Sequence, residues 1–179
     1  MINSRLKHLA EGGMFLGLAL ALAQIKLFQL PNGGSVSIGV FPIMVLGARR
    51  GPGSGVVVGM LLGLLSAALR PYVVHPLQFI LDYPLAFGCL GLAGLWSWSS
   101  GVRAAAATFL ANLFRLSCHV SAGVLAGGTY FPDSRMTTPE LAMASLLYNL
   151  GHMLPETVIC AALAIILSKQ QPALVSRQR

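Results

Sequence analysis

The chain has 179 residues, of which 55% are hydrophobic and only 9% charged, with a formal net charge of +7. Soluble domains carry about 25% charged residues, so this chain has too few to coat a water-facing surface, and its mean hydropathy is +0.74. The basic residues lie scattered at the ends of apolar segments rather than on one face, which argues for membrane topology and against nucleic-acid binding.

Six apolar segments follow in order, and together they predict an all-α integral membrane protein: one six-transmembrane-helix bundle forming a single domain over residues 1–179. The first runs from about Leu9 to Phe28. It is too long for a signal-peptide core and has no clean cleavage site, so it is read as retained. Gly13 and Gly17 lie four apart on it, as do Ala19 and Ala23, the spacing that lets helix backbones approach closely. After the break at Pro31-Asn32-Gly33-Gly34, the second segment covers only about Val36 to Ala48 and contains Pro42. About 20 residues are needed to cross the hydrocarbon, so this one is a thin or broken helix, or one shielded by its neighbours.

The third segment, Gly53 to Leu69, carries a ladder of Gly55, Gly59, Gly63 and Ala67, expected to pack inside the bundle. The fourth runs from Pro76 to Trp96, the fifth from Val102 to Leu125 and the sixth from Leu141 to Leu167. Between the last two, the stretch from Ala126 to Glu140 is long enough to be a lid as readily as a plain connection. With the N-terminus in the cytoplasm, Arg5, Lys7, Arg49, Arg50, Arg103, Lys169, Arg177 and Arg179 fall inside, against Lys26, Arg70 and Arg135 outside. That bias puts both termini in the cytoplasm.

Three segments carry side chains that lipid disfavours, and each set falls on one helical stripe, at offsets of three and four. They are His75, Gln78 and Asp82 with Tyr83 beside them; Arg115, His119 and Gly123; and Asn149, His152 and Glu156 with Tyr148 beside them. Ionisable residues inside a membrane mark functional sites by default, so three inward stripes predict a binding pocket. An ion pair between Asp82 and Arg115 is the structural alternative, since buried charges pair. Cys89, Cys118 and Cys160 show no paired spacing and are expected to be buried and reduced. No metal-ligand spacing, nucleophile elbow, zinc-protease helix or phosphate loop occurs. The chain is therefore expected to be no enzyme, to carry no catalytic residues, metal or cofactor, and not to hydrolyse ATP itself.

The motif order resembles the thiamine-specific substrate-binding subunit, or S component, of energy-coupling factor (ECF) transporters. The resemblance rests on Leu30-Pro31-Asn32-Gly33-Gly34-Ser35-Val36-Ser37, Pro42, Arg49-Arg50-Gly51, His75 to Gln78, Leu81-Asp82-Tyr83-Pro84-Leu85-Ala86-Phe87, His119 with Ala122-Gly123, Tyr148-Asn149 and Leu154-Pro155-Glu156. It implies a high-affinity thiamine binder in the cell membrane, open to the outside. Such a binder docks on a transmembrane coupling (T) subunit driven by two ATP-binding subunits. It implies a site of Asp82, Tyr83, Arg115, His119, Tyr148 and Asn149, to which the polar stripes add His75 and Gly123, and a partner interface at Gly13 and Gly17. Three other readings stay open from the residues: an S component for a thiamine precursor or another vitamin, a self-sufficient proton-coupled carrier, and an intramembrane hydrolase.

Overall fold

Glycines set the spacing of the central helices. The computed structural model describes residues 4–130 and 135–177. Helix α1 covers Ser4–Gln24, α2 Phe41–Arg50, α3 Pro52–Leu69, and α4 the helical column Pro76–Leu95. Helix α5 covers Gly101–Leu125 and α6 Thr138–Gln170. On α3, Gly63, Gly59 and Gly55 lie against the α4 backbone at Tyr83, Phe87 and Gly91. A Cβ at Gly55 would sit 2.7 Å from the Gly91 Cα, and one at Gly59 or Gly63 would strike a carbonyl oxygen. The ladder is internal, as expected, and runs antiparallel to α4 rung by rung. Gly47 of α2 meets Gly91 and Gly94 in the same way, so three backbones pack where no side chain fits.

Four helices, α1 from Arg5, α3, α4 and α6, are long and apolar enough to cross a membrane. At 25 residues α5 has the length, but it carries Asn112, Arg115 and His119. Helix α2 has ten residues, about 15 Å and half the hydrocarbon thickness. Its residues Pro42 to Ala48 are all buried, so neighbouring helices rather than lipid satisfy it. The turn from α2 to α3 is a single residue, Gly51, at φ +90, a conformation that suits glycine, and Pro52 starts the next helix with its φ preset.

Two segment ends differ from the hydropathy reading. Helix α1 stops at Gln24, and Phe28–Gln29 forms a short antiparallel hairpin with Ser35–Val36, Phe28 opposite Val36. Ile25, Leu27 and Phe28, which extend the apolar run past the helix, are exposed; Gly39, just beyond the hairpin, approaches Ala23 so closely that a Cβ would lie 2.7 Å away. At the other end of the bundle Glu11 pairs with both Arg49 and Arg50, and Arg49 donates to the Ala173 and Leu174 carbonyls at 3.1 and 3.4 Å. These bonds join α1, α2 and the C-terminal turn Pro172–Val175.

Helix α4 is not one uniform helix. It is α-helical over Pro76–Ile80, π-helical over Leu81–Leu85, α-helical again over Ala86–Cys89 and 3-10 over Leu90–Leu95. Pro84 cannot donate to the ladder, and the turn widens so that the Ala86 N–H reaches the Leu81 carbonyl. Such π-bulges recur at functional sites, and this one carries Asp82 and Tyr83. In α6, Pro155 stands inside the helix between His152 and Glu156. The proposed lid from Ala126 to Glu140 lies partly outside the described residues; Gly127–Tyr130 is a helical turn, and Thr137 bonds the Glu140 carboxylate through its N–H at 2.6 Å.

Candidate functional site: a polar cavity within the bundle

The three polar stripes converge. Together with α1, α3 and the hairpin they line a cavity of about 420 Å³, open at one end, within the size range of small-molecule sites. Asp82, Tyr83, Arg115, His119, Tyr148 and Asn149 all line it, joined by Gln78, His152, Glu156 and Phe87. His75 and Gly123 do not. His75 precedes α4 and its Nδ1 accepts the Leu77 N–H at 3.1 Å, an N-cap that starts the helix. Gly123 faces α6, where a Cβ would collide with Ser145; its role there is helix contact.

At the base, Arg115 pairs with Glu156. The charge partner of Arg115 is thus Glu156 and not Asp82, which corrects the ion pair considered from sequence. Both are buried, Glu156 to 2% exposure. The second Glu156 oxygen accepts the Ser37 N–H at 3.3 Å, and the guanidinium lies 5.2 Å from the centroid of Phe87, a cation–π contact. Removal of either charge would strand the other in low dielectric.

Asp82 is held on two sides. Its Oδ1 lies 2.7 Å from His119 Nδ1 and its Oδ2 accepts from Gln78 Nε2 at 2.7 Å. Gln78 is itself fixed, since its Oε1 accepts the Val74 N–H at 3.1 Å and its Nε2 also reaches the Tyr72 carbonyl at 3.2 Å. The Asp82 contact takes the Nδ1 side of the His119 ring, which leaves Nε2 buried and without a partner. No lysine or arginine pairs with the Asp82 carboxylate among the described residues, where its partners are an imidazole and an amide. A carboxylate so placed can receive a cation in the cavity.

Opposite Asp82, Tyr148 serves the hairpin. Its hydroxyl donates to the Pro31 carbonyl at 2.6 Å and accepts the Gly34 N–H at 3.0 Å. Its proton is committed to the hairpin, so Tyr148 can offer a ligand its ring but no hydroxyl donor. Its ring stands edge-on to His152 at 5.8 Å, and His152 Nδ1 is buried without a partner. A Cβ at Gly34 would lie 2.7 Å from that nitrogen, so glycine is what lets the hairpin close over α6. Asn149 turns its amide nitrogen to the Ser145 carbonyl at 2.9 Å. The Tyr83 hydroxyl accepts the Tyr72 N–H at 3.1 Å, and its ring lies 5.7 Å from that of Phe79.

The mouth is basic. Lys26 and Arg70 line it, each bonded to a glutamine, Gln29 and Gln24. Partial burial, and then the Arg70 charge, lower the Lys26 pKa from its ordinary value. Within the cavity, Ser66 bonds its own helix through the Leu62 carbonyl at 2.7 Å, and Ser145, outside the lining, donates to the His119 carbonyl rather than to its ring. This is not a nucleophile–base arrangement. No three His, Cys, Asp or Glu side chains gather to hold a metal ion among the described residues.

Gln78, His152 and Glu156 belong to the stripes visible in sequence, though not to the residues that the family resemblance implied. Ser37, Gly34 and the mouth cations had no such signal, because they come from loops and helix ends whose approach depends on the bundle.

A bundle of apolar helices around a polar cavity defines a membrane protein with an internal pocket. Residues 9–176 match the family model described as "Thiamine transporter protein". The chain is 33% identical over 166 residues to the thiamine transporter ThiT of Bacillus subtilis, covering 84% of this chain and 83% of that protein. It is 29% identical to ThiT of Lacticaseibacillus paracasei, over 96% and 92% of the two chains. A solved structure of ThiT from Listeria monocytogenes is 26% identical and superposes with a TM-score of 0.78, over 97% of this chain and 100% of that one. The chain belongs to the thiamine transporter protein family, a family of transporters and not of enzymes.

Proposed function

We propose that the chain is the S component of an ECF importer: it binds thiamine from outside in the 420 Å³ cavity and delivers it with a transmembrane coupling subunit and two ATP-binding subunits. The observation that carries the reading is Asp82, a carboxylate inside the bundle whose bonding partners are an imidazole and an amide. Thiamine brings a permanent thiazolium charge, two flat heteroaromatic rings and an aminopyrimidine edge. Asp82 offsets the cation, with an attraction far larger than in water. Tyr83, Phe87 and Tyr148 offer ring faces. The unpartnered nitrogens of His119 and His152 supply hydrogen bonds to the ring edge, and Arg115 with Glu156 closes the base.

In this reading the bundle crosses the cell membrane six times as one substrate-binding domain, α2 making its short crossing among other helices, with both termini cytoplasmic. Isothermal titration of thiamine into the detergent-purified chain, with no partner subunit, is the test. Tight binding near one equivalent is expected, and a folded protein that gives no binding isotherm would refute the reading. Trp96 and Trp98 lie outside the cavity lining, so fluorescence quenching would be a poor reporter.

The face of α1 that carries Gly13 and Gly17 is proposed as the docking surface for the coupling subunit. Nothing lies within 4 Å of a Cβ built at either position, and the neighbouring Leu9, Met14 and Leu18 are exposed. Gly17→Leu is expected to leave thiamine affinity unchanged and to abolish co-purification with the coupling subunit. Intact co-purification would remove this face from the interface.

A further inference from the structure

Helices α4 and α5 pack side by side beside the cavity. Asp82 meets His119 and Phe87 carries Arg115, and neither contact is covalent. A third contact joins the Cys89 and Cys118 sulfurs, 3.8 Å apart. Both thiols are half-buried, whereas Cys160 on α6 is fully enclosed. Cys118 immediately precedes His119, and Cys89 follows Phe87 by two residues. The two sulfurs, in contact across two helices, must close to a bonding distance of about 2.05 Å to join.

We propose that Cys89 and Cys118 form a dithiol modification site, whose two-electron oxidation to a disulfide ties α4 to α5 and traps the arrangement in which Asp82 and His119 face the cavity. The oxidant class is a membrane-permeant azodicarboxamide. One thiol adds through sulfur to the N=N bond. The second sulfur then attacks the first, the S–S bond forms as the S–N bond breaks, and the hydrazine leaves with both electrons and both protons. Helices α4 and α5 form one wall of the cavity, so a tether that limits their parting slows dissociation of bound ligand. Only this last consequence rests on the thiamine reading.

The full chain in detergent, treated with the azodicarboxamide, is expected to remain monomeric and to lose two hydrogen atoms in intact mass. On denaturation a single alkylatable thiol, Cys160, should remain. Cys160→Ser should preserve the cross-link, while Cys89→Ser and Cys118→Ser should each prevent it. Radiolabelled thiamine should leave the oxidised chain several-fold more slowly, and a reducing dithiol should restore the original rate. Three alkylatable thiols after treatment, or a cross-linked dimer, would overturn the site; an unchanged release rate in the cross-linked monomer would overturn the tether. Failure of the untreated chain to bind thiamine would count against the proposed function, whereas the mass change is read without ligand.

Discussion

Asp82→Asn is expected to weaken thiamine binding by roughly 2–5 kcal/mol, the usual loss when one partner of a desolvated charge pair is removed, which is roughly 30-fold to several-thousand-fold in Kd. The substitution keeps the shape of the side chain and one carbonyl oxygen for Gln78 Nε2, now 2.7 Å from Asp82 Oδ2. What it removes is the charge. The His119 ring can adjust by exchanging its tautomer, so the empty protein should melt close to the native temperature. Titration calorimetry with thiamine, alongside a thermal melt without it, separates lost affinity from lost fold. An unchanged Kd would show that Asp82 does not face the thiazolium, and the recognition scheme would have to be rebuilt around the ring contacts.

Glu156→Ala attacks stability instead. It leaves the Arg115 guanidinium, buried beside Phe87, without its counter-charge, and frees the Ser37 N–H that now reaches Glu156 at 3.3 Å. Breaking a buried pair from one side costs about 3–5 kcal/mol, a large part of a typical domain's stability. The double substitution Arg115→Met with Glu156→Leu should recover most of that loss, because well-packed apolar residues replace a buried pair at little cost. Thermal or denaturant unfolding in detergent measures both. If Glu156→Ala proved as stable as the native chain, the pair would not brace the base of the cavity. Loss of thiamine binding in the restabilised double variant would further show that the pair shapes the site.

Much of the site was legible along single helices. Gln78 with Asp82, Arg115 with His119, and His152 with Glu156 each sit four apart, and a 3.6-residue period places such residues on one stripe whatever surrounds them. The ladder of Gly55, Gly59 and Gly63 was legible for the same reason. Its partners at Tyr83, Phe87 and Gly91 were not, since nothing in a helix's own repeat states which neighbour it meets or in what register. The choice of Glu156 over Asp82 as partner of Arg115 falls in that class, as does the second role of Tyr148, whose hydroxyl holds a hairpin 114 residues away in sequence. His75 lies in register with Gln78, yet it stands at the helix start, where an unpaired N–H draws its ring back onto the backbone.

The membrane setting, the polar stripe of each helix and the family were all legible without a structure, because composition, helical period and motif order are properties of the chain taken one segment at a time. Tertiary structure alone decided which charges pair, that α4 widens into a π turn under Asp82, and that the hairpin closes on α6 through Gly34. Those outcomes depend on the rotation and depth of one helix against another, which are set by the sum of many close packings and by no single residue.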